Sequence, residues 1–571
     1  MNKKWIVRER IPEKVNKELE QWPELVRHLL FYRGIKTKKE AEKFLNPDYE
    51  KHLHDPFGML DMDKAVERIL KAIKNNEKIV IFGDYDADGV CSSAIFYEFF
   101  KKIDFKNHHF HIPDRHLEGY GLTQEAINEF IEQKFNLIIT LDCGITDVKE
   151  VGTANTAGID VIIADHHLPP KKLPDAYAII DSKQEKDKYP FKDLCGAGVA
   201  FKVVHALIIK GNESLGWHII PGWEKWLLDL VAIATVADMV PLVDENRTLV
   251  FYGLKVLEKT NRTGLLSFFR RFEINPKNIN EDDIAFMIAP RINIASRMDH
   301  ANSSFNLLIT ESSGEANWIA GHLEGLNNDR RVLVDKIMDE IDEKIKKEGL
   351  VKVIVEGDAS WNPGVLSILA NRLVENYNCP VFLWGKGEAK EIKGSGRSDG
   401  SINLVDLMNF LPKGLLAESG GHAFAAGFTL KEGKESEFKN EIIKAYKKAD
   451  KAKTENGFLH IDKEISIDEI NWEFYEKIES LKPFGADNPK PVFLFSGIEI
   501  FNVRKFGNSG LHLQLDFKNS IGDKFSAIGF FMNGDKFMAG QKIDLVASLE
   551  KSTFRNSLEL RLRIIDANIK S

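Results

Sequence analysis

The chain of 571 residues lacks any apolar run of the roughly 18 to 20 residues that a membrane-crossing helix requires. Its most apolar stretch, 226–242, is interrupted by Asp229 and Asp238. Cysteine is scarce: Cys91, Cys143, Cys195 and Cys379 lie far apart without Cys-x-x-Cys spacing. That spacing points away from disulfides, and reduced thiols in a cytoplasmic protein are expected. The first ten residues carry charges where a secretory leader needs an apolar core of about 7 to 15 residues, so secretion is not expected. Low-complexity tracts and short-period repeats are missing too, and with 43% hydrophobic and 29% charged residues the chain is neither disordered nor collagen-like. No single sign of charge dominates. Lys and Arg number 78 against 86 Asp and Glu, a net of −8, which argues against a surface that clings to nucleic acid everywhere and leaves room for a local basic groove. The last 72 residues, 500–571, carry eleven Lys and Arg against seven Asp and Glu, a net of +4, the sign a phosphate-binding module would have.

A single hydrophobic core stops growing near roughly 250 to 300 residues, so three or four domains are expected. Residues 1–75 alternate charged and apolar positions at helical spacing and read as a small helical cap. Over 76–314 short apolar runs alternate with helical patterns: 78–83, 137–141, 161–164 and 176–180 read as strands. Buried strands alternating with helices predict a parallel α/β sheet with ligands at its carboxyl ends. Residues 315–349 read as a long helix joining two lobes. A second α/β pattern fills 350–450, with strands at 351–355 and 381–384. After a polar linker at 451–456, residues 457–571 carry five short runs (497–503, 511–517, 525–531, 542–548 and 557–565) that read as a barrel of the oligonucleotide-binding type.

The strongest chemical signal is Gly83-Asp84-Tyr85-Asp86-Ala87-Asp88-Gly89, three aspartates at alternate positions directly after a buried strand. Carboxylates this close raise one another's pKa unless a cation neutralises them, and oxygen ligands of this kind suit Mg²⁺ or Mn²⁺. The plainer reading is an acidic turn with one aspartate capping a helix. A calcium loop of the EF-hand kind is disfavoured, because Ile95 stands where the bidentate glutamate belongs. Asp142 follows the next strand, Asp165-His166-His167 a third, and Asp238 ends an apolar segment where an unpaired carboxylate is costly.

Asp84-Tyr85-Asp86-Ala87-Asp88, Asp142-Cys143-Gly144, Asp165-His166-His167 and Val236-Ala237-Asp238 resemble, in order, the four motifs of the DHH phosphoesterase superfamily. Further segments resemble its single-strand-DNA exonucleases: Gly196-Ala197-Gly198, Arg291-Ile292-Asn293-Ile294-Ala295-Ser296-Arg297, Trp361-Asn362-Pro363-Gly364, Gly394-Ser395-Gly396-Arg397-Ser398, 420–427 and 483–489. The likeness covers about residues 50–571. It implies two α/β lobes, a parallel-sheet catalytic core and an associated domain, joined by the long helix and followed by the barrel. It also implies a two-metal site with Asp84, Asp86, Asp142, His166 and Asp238 as ligands for Mn²⁺ or Mg²⁺, His167 near the scissile phosphate, and Asp88 and Asp165 orienting ligands through hydrogen bonds.

The implied substrate residues are Gly420, Gly421 and His422 in a glycine-rich segment, Arg397 with Ser395 and Ser398 for a terminal phosphate, and Arg291, Asn293 and Arg297 near the metals. Asn362, Ile294 and Ser296 depart from the usual pattern without touching an implied ligand, and put a catalytic role for position 362 in doubt. On the barrel, phenylalanines alternate with lysines as a base-stacking groove would require, and Arg504, Lys505, Arg555, Arg561 and Arg563 are the candidate backbone contacts. The resemblance implies a 5′-to-3′ exonuclease that cuts 5′-phosphorylated single-stranded DNA to mononucleotides in repair and recombination, supplied by a helicase and a single-strand-binding protein, with no membrane. The rival readings are a DHH enzyme for short oligonucleotides, cyclic dinucleotides or pyrophosphate, and a DNA-binding scaffold with a dead site.

Overall fold

Runs of β-branched and aliphatic residues too short for helices, each ended by glycine or aspartate, form the central strands. In the computed structural model, which describes residues 4–115, 117–349, 352–386, 391–449, 458–507, 512–532, 534–552 and 558–570, they make a five-stranded parallel sheet. Its order is His108–His111, Ile79–Gly83, Leu137–Leu141, Asp160–Ala164, Ala178–Ile180. Every residue of Ile79–Gly83 and Leu137–Leu141 is buried, as helices on both faces of a parallel sheet require. One face packs on Gln124–Glu132 and Val148–Thr156 through Phe82, Ile138, Phe130, Val151 and Ile163.

This lobe lies in the larger of two compact units, His54–Val240 with Tyr252–Glu455. The same unit holds the 36-residue helix Ser313–Glu348 and a second five-stranded sheet. The order there is Leu416–Gly421, Ala425–Leu430, Ile392–Arg397, Val381–Gly385, Ile354–Asp358, and only the last two strands run parallel. The glycine-rich segment expected to contact substrate is a hairpin at the sheet's edge, with Gly420 opposite Gly427. Its small residues still matter, since Gly420 and Gly421 leave that edge exposed. The expected strand start, Val351, lies outside the described residues.

The other unit comprises Met1–Leu53, Pro241–Phe251 and Asn456–Ser571. Its seven-stranded sheet runs Lys463–Glu464, Phe493–Glu499, Lys542–Ser552, Glu559–Ile569, Lys524–Gly529, His512–Lys518, Asn502–Phe506. The run 497–503, read as one strand, spans the end of one, a turn at 500–501 and the start of another: Phe493–Glu499, in which Gly497 adopts φ 61°, and Asn502–Phe506 pair with different neighbours. Leu511 and Ser557, expected strand starts, lie outside the described residues.

The cap expected over 1–75 is divided. Helices Glu24–Phe31 and Lys38–Leu45 bury Leu25, Leu29, Leu30 and Phe44 in the same core as Phe493, Phe495, Leu515 and Leu545 of the barrel. Helix Met62–Lys74 belongs to the larger unit, where Arg68 meets Asp160 at 2.5 Å. Two short helices cannot bury an apolar face against each other alone, so the barrel supplies the partner surface. Lys4–Val7 also pairs in parallel with Phe458–Ile461. Among the described residues no helix is long and apolar enough to cross a membrane. The four cysteines are free and buried.

Candidate metal centre

Register places four aspartates in one row. Gly83, Leu141, Ala164 and Ile180 are partners across the parallel sheet, so Asp84, Asp142, Asp165 and Asp181 leave it at one level. Their amides extend the ladder: Asp84 N donates to Leu141 O (3.2 Å), Asp142 N to Ala164 O (2.9 Å) and Asp165 N to Ile180 O (3.0 Å). Asp142 holds a left-handed φ of 63°, a conformation costly for a residue with a Cβ. Helix Gly196–Ser214 approaches it by bare backbone, since a Cβ on Gly196 would fall 2.5 Å from Asp142 Oδ1.

The acidic turn caps a helix and does more. Asp86 Oδ1 accepts from Asp88 N (2.9 Å) and Gly89 N (3.2 Å) at the start of Ala87–Lys102. Asn293, expected at the substrate, accepts from Ala87 N through its Oδ1 (2.7 Å) and steadies this turn. Asp88 is buried and receives the first amides of Gly196–Ser214, Gly196 N at 2.7 Å and Ala197 N at 2.6 Å, where the helix dipole favours negative charge. The Gly196-Ala197-Gly198 motif thus fixes a carboxylate.

Three groups of side chains each bring ligand atoms within 4.8 Å of one another: Asp84, Asp86 and Asp142; Asp88, His166 and Asp238; Asp142, His166 and His167. His166 Nε2 lies 3.1 Å from Asp142 Oδ1 and 3.8 Å from both Asp88 Oδ2 and Asp238 Oδ2. All five residues read as ligands from the sequence, Asp84, Asp86, Asp142, His166 and Asp238, therefore occur in these groups, and Asp88 joins them.

Charge at this edge is unresolved. Burial, then Asp86, pushes the Asp84 carboxyl well above the ordinary range. Burial and then Asp238 do the same to Asp88, and burial followed by Asp88, Asp86 and Asp84 to Asp142. Burial raises Asp238 to about 6, with Asp86 adding to it. Burial and the neighbouring His167 lower His166 to about 3, so at neutral pH its ring carries a lone pair. Asp84 Oδ1 and Asp142 Oδ1 are buried and accept no hydrogen bond from any described residue. Buried, clustered, donorless carboxylate oxygens beside a neutral imidazole are a ligand set that a hard divalent cation satisfies.

Asp165 stands apart. Its Oδ1 accepts from His166 N (2.7 Å), His167 N (3.1 Å) and His167 Nδ1 (2.8 Å), and its Oδ2 from Ile145 N (3.0 Å). Burial would raise it, but these hydrogen bonds outweigh burial and keep it below the ordinary range. The reverse balance holds His167 up at about 9, where the Asp165 hydrogen bond outweighs the cost of burial.

Sequence reasoning missed several neighbours. Tyr120 Oη lies 3.1 Å from His167 Nδ1, Lys183 Nζ donates to His166 O (2.5 Å), and Arg115 lies over the Tyr85 ring at 4.9 Å and exerts its charge on Asp84. Asp181, signalled by its place at the end of a strand, is buried and raised to about 7 by burial.

The proposed substrate residues sort unevenly. Arg297 donates to Ser367 Oγ (2.9 Å) and shares its surroundings with Arg115, Arg330, Asp86 and Arg397. Arg291 donates to Met287 O (2.9 Å) and stacks on Phe272 at 4.2 Å. Arg397 donates to Ser395 Oγ (3.1 Å), whereas the Ser398 hydroxyl is committed to its loop, donating to Ile402 O (2.6 Å) and accepting from Gly400 N (3.0 Å). Exposed His422 sits at the tip of the edge hairpin. Asn362 caps helix Pro363–Tyr377 by accepting from Gly364 N (2.8 Å).

On the barrel, Arg561 faces Glu550 at 3.5 Å, Lys505 contacts Asp535, Arg563 lies 3.8 Å over the Phe530 ring, and Arg504 is exposed. Arg555 lies outside the described residues. Phe517 and Phe537 are core, while Phe501, Phe530 and Phe531 are exposed.

A parallel sheet with acidic and imidazole groups gathered at its carboxyl edge defines a phosphoesterase architecture of the DHH type. Residues 78–235 match the DHH family N-terminal domain, 348–448 the DHHA1 domain and 461–566 the RecJ OB domain. The chain is 37% identical to the single-stranded-DNA-specific exonuclease RecJ of Bacillus subtilis over 95% of its length and 68% of that protein's, and 31% identical to the Escherichia coli protein of that name over 95% of each. The crystal structure of RecJ with Mn²⁺ from Thermus thermophilus superposes with a TM-score of 0.81 at 27% identity, covering 100% of this chain and 80% of that one. The chain belongs to the RecJ family.

Proposed function

We propose that this protein is a divalent-metal-dependent exonuclease that degrades single-stranded DNA from its 5′ end to mononucleotides. The observation that carries the reading is the set of buried, unsatisfied carboxylates around a neutral His166 at one sheet edge. Family membership and the Mn²⁺ complex of the Thermus relative support it.

Asp84, Asp86, Asp142, His166 and Asp238 would hold two cations, Mn²⁺ or Mg²⁺. Such a pair supplies the Lewis acidity that lowers the pKa of water and stabilises charge on the leaving oxygen. The protein's own groups do the rest. Asp88, pinned by two amides, orients its neighbours from behind. Asp165 fixes His167 Nδ1, so the exposed, protonated ring turns its other N–H toward a phosphate oxygen. Arg397 with Ser395 anchors a terminal phosphate, the bare edge at Gly420 and Gly421 with His422 admits the strand, and Arg291 and Arg297 grip its backbone. Residues 76–314 serve as catalytic core, 350–450 as substrate lobe and 457–571 as the single-strand-binding module. A helicase and a single-strand-binding protein would present the substrate, in repair and recombination in the cytoplasm.

The test is degradation of a 5′-phosphorylated, 3′-labelled single strand with Mn²⁺, beside the duplex, an RNA strand, a dinucleotide and pyrophosphate. Mononucleotides released from the 5′ end of the single strand and no loss of the duplex are expected. Turnover confined to the dinucleotide or pyrophosphate would assign the same site a small substrate.

A further inference from the structure

The strand Ala178–Ile180 supplies no implied metal ligand, yet the turn that follows it reaches into the site. Asp181 is buried at its end, and Asp181 Oδ1 accepts from Lys183 N (2.7 Å). Gln184 closes the turn a second time, its N donating to Asp181 O (3.3 Å) and its Nε2 to Ile179 O (2.8 Å). From this fixed turn the half-buried Lys183 crosses to the neighbouring strand end, where its Nζ donates to His166 O (2.5 Å).

A histidine that ligates a metal through one ring nitrogen is ordinarily oriented by a hydrogen bond from the other. His166 departs from that pattern. Its Nε2 faces Asp142, Asp88 and Asp238, whereas its Nδ1 is buried and makes no well-formed hydrogen bond among the described residues, the backbone of Leu194 offering the ring a weak contact only. The main chain is held on both sides instead: His166 N donates to Asp165 Oδ1 (2.7 Å), and His166 O accepts from Lys183. An ammonium beside carboxylates ordinarily pairs with one of them. Lys183 exerts its charge on Asp181 and Asp238, joins no ion pair among the described residues, and takes the carbonyl. Its charge is also tolerable once the site fills. Asp84, Asp86, Asp88, Asp142 and Asp238 bring five negative charges against the four positive of two divalent ions, which leaves one for the ammonium to balance.

We propose that Lys183 is a positioning residue for the metal centre: by holding the carbonyl of His166, opposite the grip of Asp165 on its amide, it aims Nε2 at the ion shared with Asp88 and Asp238. This rests on the two-metal reading of the site. It gives the turn after the strand Ala178–Ile180 a task that the sequence motifs assign to no residue, and it replaces the missing hydrogen bond behind the ring with one to the backbone.

Mn²⁺ binding to the full chain without DNA, followed by electron paramagnetic resonance of the free ion, tests it. Wild type should bind two ions. Lys183→Met should weaken one of them about tenfold to a hundredfold, the effect of losing an orienting partner behind a ligand, and leave the other within about twofold. Lys183→Arg, which keeps a donor, should recover most of that loss. Hydrolysis by Lys183→Met should fail at limiting Mn²⁺ and return to the wild-type kcat at saturating Mn²⁺, with KM for the single strand unchanged, and its melting temperature in chelator should match wild type. Unchanged ion binding in Lys183→Met would overturn the proposal. So would a rate that saturating Mn²⁺ does not restore, which would put the ammonium on the substrate, or a lower melting temperature with both ions weakened alike, which would make the turn merely structural. If wild type itself bound fewer than two ions, the reading beneath would fail instead.

Discussion

At the carboxyl edge of the parallel sheet, Asp84 Oδ1 and Asp142 Oδ1 lie buried without donors, surrounded by further carboxylates. On the barrel, Arg561 meets Glu550, Lys505 meets Asp535 and Arg563 rests on Phe530. The first region keeps its charges in conflict, and the second settles most of its own. A fold tolerates buried repulsion of several groups only where a ligand relieves it, so the sheet edge carries chemistry. A surface whose cations already have partners binds through what is left, here the exposed aromatic faces of Phe501, Phe530 and Phe531.

The contrast breaks most visibly at His166 and Asp142. Asp142→Asn and His166→Ala should each lower the rate by about a thousandfold or more, as loss of a transition-state-stabilising ligand does. Binding of single strands should persist. Asp142→Asn should also make the metal-free protein melt no lower than wild type, since one of several repelling carboxylates is gone. Near-normal turnover by either variant would remove these residues from the metal set, and a large loss of metal-free stability in Asp142→Asn would mean the cluster is held together by bonds rather than frustrated.

For the barrel, the expected loss is about tenfold and sits in binding. Phe531→Ala, at a side chain 76% exposed, should weaken long single strands by about 1 to 3 kcal/mol while dinucleotide turnover is unchanged. Removing 457–571 altogether is a poor test, because helices Glu24–Phe31 and Lys38–Leu45 bury their apolar faces in the barrel's core and would be stripped by the deletion.

A smaller effect separates the regions by pH. Burial raises Asp238 and Asp147 to about 6 and Asp181 to about 7, from an ordinary 3.8. Groups raised in the folded state bind more protons there than in the unfolded chain, so their stabilisation is present in acid and lost as pH climbs from about 4 through 7. In chelator, the melting temperature of the larger unit should therefore fall over that window, and Mn²⁺ should flatten the decline by favouring the charged forms. A profile that rises with pH in chelator would contradict the buried, unneutralised site.

The sheet edge was legible because chemistry and periodicity coincide there: each buried strand ends in aspartate, and parallel register needs no further information to align them. Asp88 was half legible. Its position in the acidic turn was plain, but its nearness to His166 depends on the amides of Gly196 and Ala197, more than a hundred residues away. Asn293 and Ser398 look like ligand residues in sequence and also hold a helix start and a loop, since a short polar side chain beside a turn serves backbone as readily as substrate. The cap over 1–75 divided because amphipathic helices declare which face is apolar and not what will cover it. Likewise the segment 483–489 stood out in sequence, yet its Pro483 carbonyl and those of Leu481 and Lys482 are tied down by Arg247 and by Asn488, a structural use that no local pattern reveals.

The finest adjustment to the contrast concerns Tyr120. At the sheet edge one charge is settled, that of His167, whose Nδ1 bonds Asp165 at 2.8 Å and also lies 3.1 Å from the Tyr120 hydroxyl. The hydroxyl lies 3.4 Å from Asp142 O as well, so it links the ring to the backbone of a strand end. If Asp165 alone sets the tautomer and charge of His167, the hydroxyl contributes orientation only, and Tyr120→Phe should cost about 0.5 to 1.5 kcal/mol, a two- to tenfold loss of kcat with KM unchanged. His167→Ala should cost far more, because it removes the donor itself. Equal losses in the two variants would mean that the hydroxyl touches the substrate, and an undiminished kcat in Tyr120→Phe would leave the ring's orientation to the buried carboxylate of Asp165.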